Sequence, residues 1–331
     1  MDEVNSLSGS VLVSGSVLVT RGPDVVMRVS AGVADAGTGA VCTSQTRFQI
    51  ASVSKQFTAA AAMLLVEEGA LDVARPITEW LPDCPPRWSQ VTLHHLLCHT
   101  SGLGHWPELP GFDLGMLRDA DKFLERFAKV PLRSAPGTTW HYSSPGYLLV
   151  ARIIEQISGR RYGDFVTERI LRPVGLDTTA VGVPVPGAVA HGYRGGRRAD
   201  VAEYVALPGA GDIWSTVGDL ARYTSAFHAG GVVAASSRKA MLAAHTPVTA
   251  APSVDDLTVA DSYGYGCFLG TLAGHPVCFH PGDNPGYRSF LGWFPELDAT
   301  VVILANSEDT DITAVLRQAV TAVTASEPRR H

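Results

Sequence analysis

A serine and a lysine three positions apart begin the segment whose residue types are best suited to chemistry. Ser52 and Lys55 open an alanine-rich run that has high helix propensity and ends at Gly69. On a helix this spacing puts both side chains on one face, within hydrogen-bonding reach. A hydroxyl needs an adjacent base to act as a nucleophile, and burial in an apolar wall favours a neutral, basic lysine. Taken alone, such a pair is more often a helix cap beside a surface lysine.

Two later segments contain possible partners for Ser52. Residues 141–147 form a polar turn ahead of a helix, and this turn carries Tyr142 and Ser144. Residues 280–286, with the sequence His-Pro-Gly-Asp-Asn-Pro-Gly, predict a glycine-rich break at the edge of a strand. Because such a break lacks side-chain bulk, a substrate can lie directly against the backbone there.

Together, the three segments resemble the three motifs of the serine β-lactamase and DD-peptidase superfamily, specifically its class C-like branch of esterases and D-aminopeptidases. The matching residues, in the family's order, are Ser52-Val53-Ser54-Lys55, Tyr142-Ser143-Ser144 and His280-Pro281-Gly282. The resemblance covers nearly the whole chain. It includes Leu-Leu-Cys-His-Thr-Ser-Gly-Leu at 96–103 and a glycine-rich loop at 209–216. Each motif is weak alone, but all of them in this order form a strong signal.

The resemblance implies a role for each matching residue. Ser52 would be the nucleophile that forms an acyl-enzyme, and Lys55 would take part in abstracting its proton. Tyr142 would carry the proton between the serine and the leaving group, with its phenol pKa lowered by the lysine. The backbone N–H groups of Ser52 and of Asp283, just after Gly282, would form an oxyanion hole. Each such donor contributes roughly 3 kcal/mol to transition-state stabilisation. This mechanism uses no metal and no cofactor.

Two residues depart from the family's pattern and bear on the substrate. Ser144 stands where many members have asparagine, and a hydroxyl has fewer hydrogen-bonding positions than an amide. His280 stands where penicillin-recognising members have lysine, and histidine is largely neutral at about pH 7. The site therefore lacks a dependable cation for a C-terminal carboxylate. The esterase and D-aminopeptidase branch also has histidine there, so we expect an ester or amide substrate without an obligatory carboxylate.

Composition limits the class of protein. Hydrophobic residues make up 46% and charged residues 18% of the 331 residues, as in a globular rather than a disordered protein. The net charge of −6 argues against a nucleic-acid surface. No apolar run approaches the roughly 20 residues that span a bilayer, and no secretory leader is visible. Five scattered cysteines predict reduced thiols, so we expect a cytoplasmic protein that does not associate with membranes.

A zinc site is the alternative interpretation of two histidines. His95 and His99 have the i, i+4 spacing that can hold zinc on a helix. The sequence has no His-Glu-x-x-His motif and no third ligand at a characteristic distance, and the resemblance assigns His99 to a structural turn. The sequence therefore predicts no metal site.

The order of elements predicts an α+β fold, with an antiparallel sheet built from both chain ends and flanked by helices. The sheet subdomain is expected from residues 1–72 and 201–331, and a mostly helical insertion from 73–200, together forming one β-lactamase-like catalytic unit. The N-terminal hairpin is predicted at 9–32, and later strands at 263–269, 277–280, 287–294 and 300–306. Helices are predicted behind Ser52 and at 92–99, 114–130, 145–158, 164–171, 216–227 and 310–325.

Two functional hypotheses follow. The first is a serine hydrolase that acts through a Ser52 acyl-enzyme on a small ester, an amide or a D-amino-acid peptide. Its variants are an acyltransferase with the same acyl-enzyme and a DD-carboxypeptidase or β-lactamase. The second is a catalytically idle homologue that binds a ligand in the same cleft. Retention of Ser52, Lys55 and Tyr142 argues against the second. The sequence does not indicate the oligomeric state.

Overall fold

A computed structural model of the chain describes residues 12–184, 186–199, 207–248 and 258–325. Residues 9–11 of the predicted hairpin lie outside these ranges. The strands, in chain order, are β1 (Gly15–Arg21), β2 (Asp24–Ala31), β3 (Val33–Asp35), β4 (Ala40–Val41), β5 (Phe48–Gln49), β6 (Ala180–Val181), β7 (Tyr193–Arg194), β8 (Arg197–Arg198), β9 (Ile213–Ser215), β10 (Thr246–Pro247), β11 (Thr258–Tyr263), β12 (Phe268–Leu272), β13 (His275–Asn284), β14 (Tyr287–Phe294) and β15 (Ala299–Ala305).

The helices connect and cover these strands. In chain order they are α1 (Ser54–Glu67), α2 (Leu93–Leu97), α3 (Ala120–Phe127), α4 (Ser144–Ser158), α5 (Tyr162–Val166), α6 (Arg172–Val174), α7 (Val217–Ala229), α8 (Ala235–Met241) and α9 (Ile312–Ala325). Short 3-10 turns lie at Ala51–Val53, Ile77–Glu79, Pro86–Trp88, Trp106–Glu108 and Leu114–Arg118, and a π-helical turn at Thr167–Leu171 joins α5 to α6.

An eight-stranded antiparallel sheet unites the two ends of the chain. Its strand order is β10-β11-β12-β13-β14-β15-β1-β2, so the first strand lies between the second and the last. Val17 of β1 is opposite Ile303 of β15. Since β15 is buried along its whole length, its sequence Ala-Thr-Val-Val-Ile-Leu-Ala reads as a nearly continuous apolar run rather than an alternating one.

The alternation of side chains along β15 divides the apolar core into two layers. Val301 and Ile303 pack in the core that α9 covers, whereas Val302 and Leu304 pack in the core that contains the buried faces of α1, α4 and α7. The alanines of α1 are fully buried, and their small side chains let neighbouring elements approach this helix closely. The sheet is therefore sandwiched between helices, with α7 against one face, α9 against the other, and α1 packed in the same core as α7.

Several predicted elements are confirmed. β1 and β2 form the expected antiparallel hairpin, β14 spans the predicted residues, and α4 ends at Gly159 in the left-handed conformation with φ 66°. Thr92 caps α2, and the side chain of His95 accepts a hydrogen bond from the Thr92 backbone in return.

Three predicted elements are wrong in their extent. The helix expected at 114–130 is divided, because the Asp119 side chain accepts from the Lys122 backbone and starts α3 anew. The strand expected at 263–269 is instead a turn between β11 and β12, where Gly266 has φ +81°. The strand containing His280 does not break at its glycine but continues to Asn284.

Among the described residues, no helix combines the length and the apolar character needed to cross a bilayer. The boundaries of the two predicted subdomains stay a prediction, because one apolar core contains side chains from both.

We expect Ile303→Ala to lower the free energy of unfolding by about 2–5 kcal/mol, because it leaves a cavity between two packed layers. Ile303 is fully buried, whereas Val259 in β11 is 54% exposed and provides a matched control. Val259→Ala should change stability by less than about 0.5 kcal/mol. Urea titrations of both variants measure the difference, and equal losses would contradict the assignment of the core.

Candidate active site

Ser52 lies in a buried turn, residues 50–53, that is held from several sides. Ala51, immediately before the serine, has φ +47°, an unfavourable conformation for a residue with a Cβ. The Ile50 N–H donates to the Ile213 carbonyl at 2.9 Å, and the Ile50 carbonyl accepts from the Ser289 hydroxyl at 2.7 Å. Strain of this kind persists only where surrounding contacts fix the backbone. The turn therefore presents Ser52 from a rigid base.

Lys55 lies one helical turn after Ser52 and is fully buried. Its Nζ is 3.0 Å from the Ser52 Oγ and donates to the Ala210 carbonyl oxygen at 2.6 Å. Burial holds the pKa of Lys55 well below its ordinary value, although the nearby Asp212 carboxylate acts in the opposite direction. Burial therefore favours the neutral amine, whose lone pair can accept the serine proton. The alternative of a surface lysine is wrong.

Asp212 is a buried carboxyl that the sequence did not single out, although it lies in the glycine-rich loop. Burial raises the pKa of Asp212 to about 7, and the carboxyl accepts a hydrogen bond from the Gly209 N–H at 3.0 Å. The Asp212 carboxylate raises the pKa of Lys55 whereas burial lowers it, so the charge of Asp212 affects how much of the lysine is neutral. Only tertiary structure shows this relation.

Tyr142 lies on the other side of the serine. Its hydroxyl forms hydrogen bonds with the hydroxyls of Ser52 and Ser144, and the Lys55 Nζ is 5.0 Å from the centre of its ring. Burial raises the pKa of Tyr142, so the expectation that the lysine lowers it is wrong. The physical reason is that burial disfavours the charged phenolate more than the hydrogen bonds from Ser52 and Ser144 stabilise it. In the resting protein the phenol is protonated.

Two histidines hold the segment that carries Tyr142. The Nδ1 of His99 accepts from the Ser143 N–H at 3.2 Å, and the Nδ1 of His105 accepts from the Ser144 N–H at 3.3 Å. Their ring centres are 4.5 and 5.4 Å from that of Tyr142. Burial lowers the pKa of both, to about 3 for His105, so both rings are neutral acceptors. The sequence did not identify His105 at all.

The histidines considered for zinc have other partners. The Nδ1 of His95 accepts from the Thr92 N–H at 3.2 Å, while His99 holds the tyrosine segment. Across the described ranges, no group of three or more histidine, cysteine or acidic side chains is arranged to hold a metal ion.

β13 forms the opposite wall of the site and approaches the serine turn very closely. A Cβ at Gly282 would lie 2.5 Å from the Ile50 carbonyl oxygen and 3.0 Å from the Ala51 Cβ, and it would collide with the Ser289 hydroxyl. Asn284 continues the contact by donating to the Gln49 side chain at 2.9 Å and to the Gly211 carbonyl at 3.0 Å. Glycine at 282 is therefore required for close approach rather than for a break in the strand.

His280 is buried at the start of this wall. Its Nδ1 donates to the Pro281 carbonyl at 2.5 Å, which leaves the Nε2 to accept from the Tyr263 hydroxyl at 3.1 Å. Burial lowers the pKa of His280 to about 3, so the residue is neutral, as its type led us to expect. It offers no cation to a substrate.

A cleft of about 1020 Å³ opens over these groups. Six of the seven predicted site residues line it, namely Ser52, Tyr142, Ser144, His280, Gly282 and Asp283. The seventh, Lys55, lies behind Ser52, out of solvent. Segments far apart in sequence thus meet around one hydroxyl. A serine between a neutral amine and a phenol, beside a strand edge, is suited to acyl transfer.

The sequence model of the Beta-lactamase family matches residues 8–325 of the chain. The chain belongs to the Beta-lactamase family. This membership confirms the predicted fold class and the prediction of an enzyme, a serine hydrolase. The roles of individual site residues stay predictions.

Relatives and solved structures agree with the assignment to the Beta-lactamase family. Esterase EstB of Burkholderia gladioli is 36% identical over 181 residues, which are 50% of this chain and 46% of the esterase, about half of each. Penicillin-binding protein 4* of Bacillus subtilis (strain 168) is 29% identical over 346 aligned positions, covering 95% of this chain and 73% of that protein. A penicillin-binding protein structure from Bacillus halodurans has a TM-score of 0.82 and 25% identity, covering 93% of this chain and 96% of that one.

We expect Gly282→Ala to slow acylation of Ser52 by about 100-fold or more, because the added methyl pushes β13 away from the serine turn and disrupts the oxyanion hole. Burst-phase kinetics with p-nitrophenyl acetate measure the rate. Gly218→Ala is the matched control, since a Cβ there meets only the Thr216 hydroxyl, at 3.9 Å. A rate for Gly282→Ala equal to that of this control would show that close approach is not needed.

We expect Asp212→Asn to move the rising limb of the acylation pH profile to lower pH. The Asp212 carboxylate raises the pKa of Lys55, so its removal leaves burial unopposed and lowers that pKa further. Single-turnover rates between about pH 4 and 9 measure the shift. Asp177→Asn removes an equal charge from the exposed surface and should leave the profile in place. A shift to higher pH would contradict the assignment of Lys55 as the base.

Proposed function

We propose that the protein hydrolyses small esters or amides through an acyl-enzyme on Ser52. The observation that carries the proposal is the 3.0 Å separation between the Ser52 Oγ and the amine of fully buried Lys55, whose pKa burial holds well below its ordinary value. A neutral amine accepts the serine proton as the oxygen attacks the substrate carbonyl carbon. The C–O or C–N bond to the leaving group then breaks, which leaves the acyl group esterified to Ser52.

Tyr142 completes the proton path in this proposal. Its hydroxyl is hydrogen-bonded to that of Ser52, and its raised pKa keeps its proton available. The phenol gives this proton to the leaving group and regains one from the protonated Lys55, so no charge is left over. Water then attacks the acyl carbonyl by the same path in reverse and frees Ser52.

The oxyanion hole is proposed from two backbone donors, the N–H groups of Ser52 and Asp283. The close packing at Gly282 supports this assignment, because it brings β13 against the turn that carries the serine. Donors on a rigid turn and a rigid strand need no reorganisation when charge develops on the carbonyl oxygen.

The substrate class is proposed from the charge of the site. With His280 neutral and buried, residue 280 gives no anchor for the carboxylate of a penicillin or a peptide C-terminus. This favours esters, amides and D-amino-acid peptides that lack an obligatory carboxylate over the DD-carboxypeptidase and β-lactamase alternatives. An acyltransferase, in which an amine or alcohol replaces water, shares the first half of the reaction and is distinguished by its acceptor.

A cytoplasmic location is also part of the proposal. All five cysteines are free thiols, and four of them have a raised pKa because of burial or neighbouring thiols. Free, unreactive thiols are typical of reducing compartments.

We expect Ser52→Ala to abolish acylation, and Lys55→Ala and Tyr142→Phe each to slow it by about 100- to 10,000-fold. Intact-mass analysis after incubation with p-nitrophenyl acetate or a fluorophosphonate detects the adduct. The chain supplies a matched control, since Ser236 and Lys239 have the same spacing on α8 but are exposed. Ser236→Ala and Lys239→Ala should leave acylation unchanged.

The same experiment tests the alternative of an idle binding protein. No adduct on the unsubstituted protein with any of these probes would favour a binder. Near-normal acylation of Lys55→Ala or Tyr142→Phe would instead show that the proton path is wrong.

A further inference from the structure

One side of the cleft over Ser52 is formed by residues 105–117, which we call the apolar rim. The apolar side chains that line the cleft from this segment are Trp106, Phe112, Leu114 and Leu117. The two aromatic side chains pack on each other, with ring centres 4.9 Å apart. The regular structure of the rim is limited to short 3-10 turns, which supply few backbone hydrogen bonds. Side-chain contacts therefore contribute strongly to fixing its position.

Glu108 joins the apolar rim to two other segments of the chain. Its Oε2 is 2.6 Å from the Nη1 of Arg133, and its Oε1 is 3.0 Å from the Nε2 of His141. Within the described ranges, no other side chain of the rim takes part in an ion pair. Because each carboxylate oxygen has its own partner, removal of this one charge weakens both contacts.

The backbone that leads into the rim leaves space for the Glu108 carboxylate. A Cβ at Gly104 would lie 2.7 Å from the Glu108 Oε2 and 3.8 Å from the Arg133 Cδ. A side chain at this position would therefore compete with the carboxylate for the same space. The Gly104 carbonyl also accepts a hydrogen bond from the Ser143 hydroxyl at 2.8 Å. Glu108 thus packs where the start of the rim meets the segment that carries Tyr142.

The two partners of Glu108 belong to segments that are themselves held in place. The Arg133 N–H donates to the Gly102 carbonyl at 2.8 Å, and the His141 N–H donates to the His99 carbonyl at 2.8 Å. His141 directly precedes Tyr142 in the chain. Glu108 therefore connects the apolar rim to fixed backbone beside the reacting groups.

The strength of this connection comes from its being a network. The Glu108 side chain is 34% exposed, and an isolated ion pair at that exposure contributes little. Burial raises the pKa of Glu108, but hydrogen bonds from Arg133 and the His105 backbone, together with the neighbouring His141, outweigh it and hold the pKa below its ordinary value. A carboxylate shared between two partners is worth more than a single exposed pair, so its loss should have a severalfold effect.

We infer that Glu108 is a positioning residue that holds the apolar rim against the cleft and thereby sets the selectivity for substrates with a bulky apolar group over small ones. This inference rests on the proposed hydrolase function. The carboxylate does not itself touch the substrate. It acts through Trp106 and Phe112, which bind an apolar group more tightly when they are fixed before the substrate arrives.

Three esters test the inference. Methyl 3-phenylpropanoate has an aromatic ring on the acyl side of the reacting carbonyl, 2-phenylethyl acetate has one on the alcohol side, and methyl acetate has none. We expect Glu108→Gln to lower kcat/KM for one of the aromatic esters about fivefold relative to methyl acetate. Titration of the released acid at constant pH measures the rates. The loss should lie in KM more than in kcat, because the rim contacts the apolar group equally before and during the reaction.

A second variant tests whether Glu108 acts through its ion pair. Arg133→Met removes one partner and should shift the same ratio in the same direction. The double variant should lose little more than Glu108→Gln alone, because both substitutions break one shared contact. Fully additive losses would show that the two residues act independently, which would contradict the inference.

The matched control is Glu79→Gln. Glu79 is 38% exposed and forms an ion pair with Arg75 at 3.0 Å, on residues that do not line the cleft. This variant should leave the ratio and the activity unchanged. Fluorophosphonate labelling of every variant shows that the measured protein is folded and active.

The outcomes separate this inference from the function on which it rests. If the esters acylate Ser52 but neither ratio changes in Glu108→Gln, the inference is wrong and the proposed function stands. Equal losses for all three esters would also overturn it, since they would indicate a general effect on the site rather than on the rim. If no ester acylates Ser52 in the unsubstituted protein, the proposed function fails and the inference fails with it.

Discussion

The burial of one lysine, which lowers its pKa and favours the uncharged amine, is the condition on which the rest of the site depends. Lys55 is enclosed by α1 on its own side and by the glycine-rich loop, whose Ala210 carbonyl accepts one of its protons. Water cannot solvate an ammonium group there, so desolvation lowers the pKa of Lys55 and favours its basic form. The alanine-rich sequence of α1 matters for this reason, since small side chains bring the surrounding elements close enough to exclude solvent.

The second condition is that the wall of the cleft and the serine turn fit together as one rigid unit. Gly282 permits contact of β13 with the turn, and Ser289 and Asn284 tie the two strands to Ile50, Gln49 and Gly211 by hydrogen bonds. Preorganisation of this kind positions backbone donors without cost during the reaction. The same rigidity sustains the unfavourable backbone conformation of Ala51.

Local sequence signals predicted most elements and the residues that meet at the site, but not their electrostatics. Ser236 and Lys239 show why, because they have the same spacing as Ser52 and Lys55. Both are exposed on α8, so burial does not turn this lysine into a base for the serine. The protonated Tyr142 and the raised pKa of Asp212 follow from burial by segments distant in sequence. Likewise, the division of the helix at 114–130 depends on a competing cap at Asp119, and the continuation of β13 depends on its partner β14.

The topology of the large sheet has a consequence for biosynthesis. β1 is paired on one side by β15, and β13, the strand proposed to complete the oxyanion hole, comes only after residue 274. A nascent chain on the ribosome therefore carries Ser52 and Lys55 long before it can assemble the wall opposite them. A competent nucleophile therefore exists only after β13 has been made, so products truncated before β13 are expected to lack hydrolytic activity.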